Sequence, residues 1–344
     1  MKDDPKVLLL RFSSLGDVVL ATAAARAVKE QRPAATVFLA TKAAFAPLLE
    51  GQPDLDEVWP LEPQGIGALV RRARDQRLDA VVDLHSSLRS RAVAALAGAP
   101  VTRWESAALN RRLRVRFKAR GLAEPAPVHQ RYSRAALRAL GLRLDLPPPL
   151  PRLFVDAASA SWAGEWLAGR GWTGEQPLLA VSPGAAWATK RWPHLAACLR
   201  DVARDGQVRL LLLGSRAEGP LLDALSADLG ALPLPPLRAD AETGDLRRLA
   251  ALLERCRHFL GHDSGPMHLA EALGLPLTAL FGPTVRAFGF YPQSPGAAVF
   301  ERDLACRPCH PHGGERCPLG HHDCLAGLAP GPVSQRLRLA LGLA

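Results

Sequence analysis

The residues whose types and spacing could do chemistry gather first in one stretch, 258–274, HFLGHDSGPMHLAEALG. A short apolar run ends at Gly261. Asp263, Ser264 and Gly265 follow, and Pro266 opens a helical stretch carrying Met267, Leu269, Ala270 and Leu273, which Gly274 stops. Beyond Pro276 comes a second apolar run over 277–281. The pattern reads strand, tight turn, helix, strand. Ser264 or Asp263 can cap the helix, and a proline is tolerated in its first turn. A helix start presents free backbone N–H groups and a partial positive charge, which suits a phosphate. Gly265 lets a ligand come close to the main chain. An ordinary capped helix has the same signature; what points past it is Asp263 and His268, two polar side chains crowded around one phosphate seat.

Four further sets of residues carry possible chemistry. The loop 182–193, SPGAAWATKRWP, holds Lys190 next to Arg191 after a strand end. A lysine there can neutralise a diphosphate as a point charge, although a surface lysine has the same spacing. Glu218, just after another strand end, could bond a ribose diol or merely favour a helix start. Asp17 follows Gly16 at the start of the first helix; such an Asp is ordinarily a cap or dipole partner, and facing a cleft it could act as a general base. In 103–120, Arg103, Arg111, Arg112, Arg114, Arg116, Lys118 and Arg120 face one acid, Glu105, with Trp104, Leu109, Leu113 and Phe117 interleaved. That is either a solvated face or a patch for phosphates or an anionic membrane. Finally, Cys306-x-x-Cys309 is followed by Cys317 and Cys324 amid His310, His312, His321 and His322. A reducing compartment argues against structural disulfides there, so the four thiols point to a structural zinc, with a spacing irregular for zinc ribbons. Cys198 and Cys256 fall on core faces.

These residues need elements to hold them. Strands are expected at 6–11, 37–40, 57–61 and 80–84, with helices at 17–30, 43–50 and 66–77 between them. Alternation of this kind means a parallel sheet covered on both sides. The stretch LDLPPPLP at 144–151 bars helix and central strand and reads as the approach to a linker. The rhythm then restarts, with helices at 161–169, 194–205, 218–229 and 245–256 and strands at 178–181 and 208–213. The expected fold class is therefore α/β, with an N-terminal domain over 1–152 and a C-terminal domain over 153–344 that ends in the cysteine-rich segment 306–324 and a helix. Two such halves suggest a cleft, with ligands beyond the carboxyl ends of the strands.

With 344 residues the chain can bury two cores, and its 48% apolar share is that of a globular protein. No apolar run spans a bilayer, and the start MKDDPKVLLLRF is charged rather than a signal peptide, so a cytoplasmic protein is expected, peripheral at most on a membrane. The net charge of +10 is uneven along the chain: 25 Lys and Arg against 15 Asp and Glu in 1–152, but 18 of each in 153–344. An anionic partner for the first half follows: lipid, nucleic acid or a phosphorylated sugar.

Several loops agree with one family. The chain resembles the bacterial ADP-heptose:lipopolysaccharide heptosyltransferases, nearest the heptosyltransferase II type. The matching stretches are RFSSLGDVVLATAAARAVKE (11–30), PGAAWATKRWP (183–193), LLLGSRAE (211–218), HDSGPMHLAEALGLP (262–276) and LFGPT (280–284). The resemblance implies a GT-B architecture of two Rossmann-like domains facing a cleft, and an inverting transfer of heptose with no metal required at the reaction centre. By motif, it implies that Asp17 deprotonates the acceptor, that Lys190 pairs with the diphosphate and Glu218 with the ribose, that Asp263, Ser264 and Gly265 hold sugar and phosphates, and that His268 buttresses their loop. Ala185 and Ala186 stand where some members carry hydroxyl residues. The implied partners are ADP-heptose, an anionic lipid-linked core acceptor met by Arg103, Arg111, Arg112 and Arg114, and the cytosolic face of the inner membrane, with no nucleic acid. Two rivals use the same residues. One is a transferase acting on a protein or another sugar. The other is a non-catalytic protein binding anions or a membrane surface, which leaves the joint presence of Asp17, Lys190 and Asp263 without a purpose.

Overall fold

The computed structural model describes residues 4–62 and 65–343, so the charged start at Met1–Asp3 lies outside the described residues. The chain divides into two compact units, Met1–Ala107 with Ala126–Phe154, and Ala108–Pro125 with Val155–Ala344. In the first, β1 (Lys6–Leu10), β2 (Thr36–Lys42), β3 (Glu57–Leu61), β4 (Ala80–Asp83) and β5 (Val101–Arg103) form one parallel sheet in the order β3-β2-β1-β4-β5. Val7 to Leu10 of β1 and Val81 and Val82 of β4 are fully buried. A parallel strand covered on both faces reads as an unbroken apolar run, and each such side chain contributes about 1.5–3 kcal/mol. The helices are α1 (Leu15–Gln31), α2 (Ala46–Leu49), α3 (Gly67–Asp75), α4 (Leu88–Leu96) and, past α5 (Ala108–Phe117), α6 (Val128–Ala139). The expected helix over 43–50 is reduced to the four residues of α2, and α4 and α6 have no counterpart in the sequence reading. Strand order reverses between β1 and β4, where Leu10 lies beside Asp83.

The second unit repeats the plan. After α7 (Ala157–Ala168) come β6 (Leu178–Val181), α8 (Leu195–Ala203), β7 (Arg209–Leu213), α9 (Gly219–Leu229), β8 (Leu237–Ala239), α10 (Leu246–Glu254), β9 (His258–His262), α11 (Gly265–Ala272), β10 (Leu277–Phe281), β11 (Ala297–Glu301), α12 (Asp323–Ala326) and α13 (Pro330–Leu341). Its six parallel strands run β11-β10-β9-β6-β7-β8, and the order reverses between β6 and β9. Val181 lies beside Leu260 there, and the Ser182 amide donates to the Leu260 carbonyl at 2.9 Å. Leu195 and Leu199 of α8 share one core with Leu325, Val333 and Leu337 near the C-terminus. Two doubly wound parallel sheets are what the sequence led us to expect.

One boundary needs correction. The segment Ala108–Pro125 belongs with the second unit and not with the N-terminal residues that flank it. Lys118 Nζ donates to the Pro308 carbonyl at 2.6 Å, and Arg120 donates to the Leu304 carbonyl at 2.7 Å and pairs with Asp303 at 3.3 Å. Regrouped this way, the basic surplus divides evenly, +5 in each unit, so the asymmetry between the two sequence halves is not an asymmetry between the folded units. The other boundary, expected at 152–153, falls at Phe154 and Val155. Gln52 of the first unit accounts for this: its side chain accepts from the Phe154 amide at 2.8 Å and donates to the Phe154 carbonyl at 2.9 Å. No helix among the described residues is long and apolar enough to cross a membrane.

Candidate active site

In a doubly wound sheet, the point where strand order reverses leaves a crevice beyond the strand ends. In the first unit that point holds Asp17. It is the third residue of α1, and it completes a capping box with Ser14. Its carboxylate does more than cap. Oδ2 accepts from Ser14 Oγ at 2.8 Å and pairs with Arg11 Nη2 at 2.6 Å, and Oδ1 accepts from Tyr132 Oη at 3.2 Å. Arg11, just past β1, is held by a second bond from Nη1 to the Leu84 carbonyl at 2.7 Å. Tyr132, on α6, is fully buried, with the edge of Trp104 against its ring at 4.7 Å. Burial first, and Asp17 second, push its phenol well above the ordinary tyrosine range, so it stays protonated and can only donate to the carboxylate. His85, past β4, stacks near Phe12 at 5.5 Å. Burial and then Arg11 lower its pKa, which keeps the imidazole neutral at pH 7.

The reversal point of the second unit brings together the loops after β6 and β9. Lys190 Nζ pairs with Asp263 Oδ2 at 2.7 Å and donates to the Asp263 carbonyl at 3.1 Å. The same Oδ2 accepts from Thr284 Oγ1 at 2.7 Å. Next in sequence, Ser264 starts α11 without using its side chain as a cap, and its Oγ is buried with no protein partner among the described residues. A buried hydroxyl left open at a helix start, one residue from a lysine–aspartate pair, has the chemistry that suits an anion. Behind it, His262 Nε2 accepts the Trp192 amide at 3.0 Å, and burial lowers its pKa to about 4. A neutral imidazole is therefore the acceptor that fixes the end of the Lys190 loop. His268 is buried on α11, with the Phe290 ring at 6.2 Å in an edge-to-face arrangement. Glu218 Oε2 takes both the amide and the hydroxyl of Ser215 at 2.8 Å. Its Oε1 lies against Gly184, where an added Cβ would sit 1.8 Å away, so a side chain there would displace the Glu218 carboxylate.

The C-terminal segment carries this loop. The Thr189 amide and Oγ1 donate to the Gly314 carbonyl at 3.0 and 2.8 Å, and Thr189 Oγ1 accepts from the Gly314 amide at 2.9 Å. His322 Nε2 lies 2.8 Å from the Thr189 carbonyl. Around these anchors lie Cys306 and Cys309 before Gly314, Cys317 between Gly314 and His322, and Cys324 after it, all free thiols. Among the described residues no group of three or more His, Cys, Asp or Glu side chains is arranged to hold a metal ion. The four thiols lie within electrostatic reach of one another, and Cys324 also packs with Leu325 and Leu328 in the apolar core. Burial and the neighbouring thiols push its pKa up to about 11, and raise that of Cys309 as well.

The basic patch also sorts differently. Arg114 points inward, its guanidinium bonded to Asn110 Oδ1 at 2.7 Å and to the carbonyls of Leu122 and Ala123. It closes the turn after α5 and is not a surface anion contact. Arg103 ends β5 in the first unit, whereas Arg111 and Arg112 lie on α5. The exposed face of α5 carries Leu109, Arg112, Arg116 and Phe117, with Leu109 70% and Phe117 67% exposed.

The profile of glycosyltransferase family 9 (heptosyltransferase) matches residues 66–316, well over half of the chain. The chain belongs to this family. As a family 9 member it is a glycosyltransferase. Lipopolysaccharide heptosyltransferase 2 of Escherichia coli (strain K12) is 29% identical to it over 297 residues, covering 81% of this chain and 83% of that protein. Lipooligosaccharide heptosyltransferase 2 of Haemophilus ducreyi (strain 35000HP / ATCC 700724) is 27% identical over 354 residues, covering 98% and 99%. Among solved structures, E. coli ADP-heptose lps heptosyltransferase II has a TM-score of 0.75 at 25% identity, with 98% of each chain covered. The family 9 glycosyl transferase from Veillonella parvula DSM 2008 has a TM-score of 0.79 at 21% identity, covering 99% and 98%, and shares the fold. The sequence reading missed Arg11, Tyr132, His85, Thr284 and His262 of this family 9 chain. Arg11 and His262 were visible as polar residues at the ends of apolar strand runs; Tyr132 had no such signal.

Proposed function

We propose that this enzyme transfers a heptose from ADP-heptose to the inner core of lipopolysaccharide. The observation that carries this reading is the Lys190–Asp263 pair beside the open Ser264 hydroxyl at the start of α11. Lys190, Ser264 and the first amides of α11, including that of Gly265, receive the diphosphate. Glu218 Oε1, beside Gly184, takes the ribose diol, and Asp263 faces the sugar. Asp17 is the general base. The acceptor oxygen attacks the anomeric carbon as its proton passes to Asp17, and the bond to ADP breaks with its electron pair leaving on the phosphate oxygen. Positive charge fixed in advance at the diphosphate stabilises what develops there without reorganisation. His268 supports the donor loop from within the α11 packing.

The relatives named above act, by their names, on lipopolysaccharide or lipooligosaccharide, and an anionic lipid-linked acceptor fits the surface chemistry of this chain. Leu109, Arg112, Arg116 and Phe117 form one arc of α5, two apolar side chains flanking two guanidinium groups. Each arginine brought to an anionic bilayer adds about 1 kcal/mol, and the apolar pair dips into the interface. The protein is then a peripheral one on the cytosolic leaflet, with Arg103 near the acceptor's anions.

The deciding experiment incubates the protein with ADP-heptose and a heptose-acceptor core glycolipid and follows ADP release and acceptor mass. Transfer by the wild type and a loss of roughly 10²–10⁴ in kcat for Asp17→Asn are expected, the range for removing a general base. Transfer with Asp17→Asn at the wild-type rate would reduce Asp17 to a helix cap.

A further inference from the structure

Among the described residues, Ser14, Arg11 and Tyr132 grip Asp17, and of these Ser14 is local. Ser14 lies three residues back on the same helix turn and moves with it. Arg11 reaches Oδ2 from the end of β1, and Tyr132 reaches Oδ1 from α6, 115 residues away in sequence. A carboxylate held at one oxygen still rotates about its own bond. Held at both, by groups on different elements, its plane is fixed. Tyr132 suits this task because nothing about it is adjustable. Its ring is fully buried, Trp104 packs its edge against it at 4.7 Å, and the Arg11 guanidinium lies 5.6 Å from its centroid.

We propose that Tyr132 is a positioning residue for transfer: its hydroxyl sets the orientation in which Asp17 meets the acceptor hydroxyl. The proposal rests on Asp17 being the base. Tyr132 does not take the proton itself, because its phenol is already protonated throughout the working range. Arg11 completes the arrangement by holding the other oxygen; Asp83 at the end of β4, His85 past it, Lys42 at the end of β2 and Arg131 beside Tyr132 on α6 are further polar groups near the site. Positioning errors of this size act on the transition state, where the proton is in flight, and leave ground-state binding in place.

Tyr132→Phe removes one oxygen and keeps the ring, so the packing against Trp104 survives. The measurement is steady-state kinetics of four proteins: wild type, Tyr132→Phe, Asp17→Asn and the double variant. Tyr132→Phe should lower kcat about tenfold with the KM of donor and acceptor within twofold of wild type. In the Asp17→Asn background the same change should cost nothing, because the group it positions is gone. An equal loss in both backgrounds would show that Tyr132 acts apart from Asp17 and would overturn the proposal. So would a raised acceptor KM at unchanged kcat, which makes Tyr132 an acceptor contact. If Asp17→Asn is crippled and Tyr132→Phe is like wild type, the base assignment stands and the positioning role falls. If Asp17→Asn itself turns over normally, the base assignment falls first. Should Tyr132→Phe fold poorly, Trp104→Phe, which disturbs the same packing and leaves the phenol in place, identifies a packing effect by reproducing the loss.

Discussion

Lys190 and Asp263 are nearly buried, with side chains 12% and 10% exposed, and each is the other's counter-charge at 2.7 Å. Removing one partner of such a pair leaves a charge with little water to solvate it, which costs about 3–5 kcal/mol where burial is complete. Lys190→Ala should therefore lose stability as well as ADP affinity, and a weakened titration alone would misattribute the effect. The pair Lys190→Met with Asp263→Asn removes both charges together. It should recover most of the stability in chemical denaturation while ADP binding by calorimetry stays weak; recovery of ADP binding along with stability would remove Lys190 from the diphosphate site. Asp17 and Lys190 were legible in the sequence because each follows an apolar strand run by a few residues. Tyr132 was not, since an isolated tyrosine inside an arginine-rich helix has no spacing that distinguishes it.

At the scale of elements, strands were more legible than helices. The runs 57–61, 178–181 and 277–281 are strands at those same bounds; 178–181 and 277–281 are buried at every position and read as apolar runs, while 57–61 is an edge strand that begins at the exposed Glu57. Helix 43–50 shrank because Pro47 sits in its first turn and Gly51 follows at once, with φ +75. α6 escaped because four of its twelve residues are histidine or arginine, and His129 and Arg131 are nonetheless buried. The clamp of Gly314 and His322 on Thr189 is an element-level device, since it sets the Lys190 loop from a segment with no regular structure. Thr189→Val loses the two hydroxyl bonds at 2.8 and 2.9 Å and keeps the volume. It should raise the KM for the donor three- to tenfold, with kcat at saturation within a factor of about two, each lost bond being worth about 0.5–1.5 kcal/mol. An unchanged donor KM would mean that the loop holds its shape without the clamp.

At the scale of the whole molecule, acid should act on the two units unequally. His258 and His262 of β9 are fully buried, and burial lowers both to about 4 from 6.5. The unfolded chain binds a proton at each below pH 6.5 and the folded unit does not, so stability is whole above pH 6.5 and falls as pH drops toward 4. Each histidine withholds on the order of 3 kcal/mol over that window. Calorimetric melting should show one transition moving down between pH 7 and 5 by more than the other, and the shift should shrink in His258→Gln. Transitions that move together would place the acid sensitivity elsewhere. Order of synthesis adds a consequence of the Thr189 clamp. The ribosome makes Thr189 about 125 residues before Gly314, which at 5–20 residues per second is roughly 6–25 s of translation. During that interval β6 and its loop exist without the partner that shapes them. Nascent chains arrested before Gly314 should therefore retain ADP poorly on an ADP resin, and chains arrested well past His322 should retain it; equal retention would show that the loop matures without Gly314 and His322. A nascent enzyme that has not yet passed His322 would then be unable to sequester nucleotide sugar.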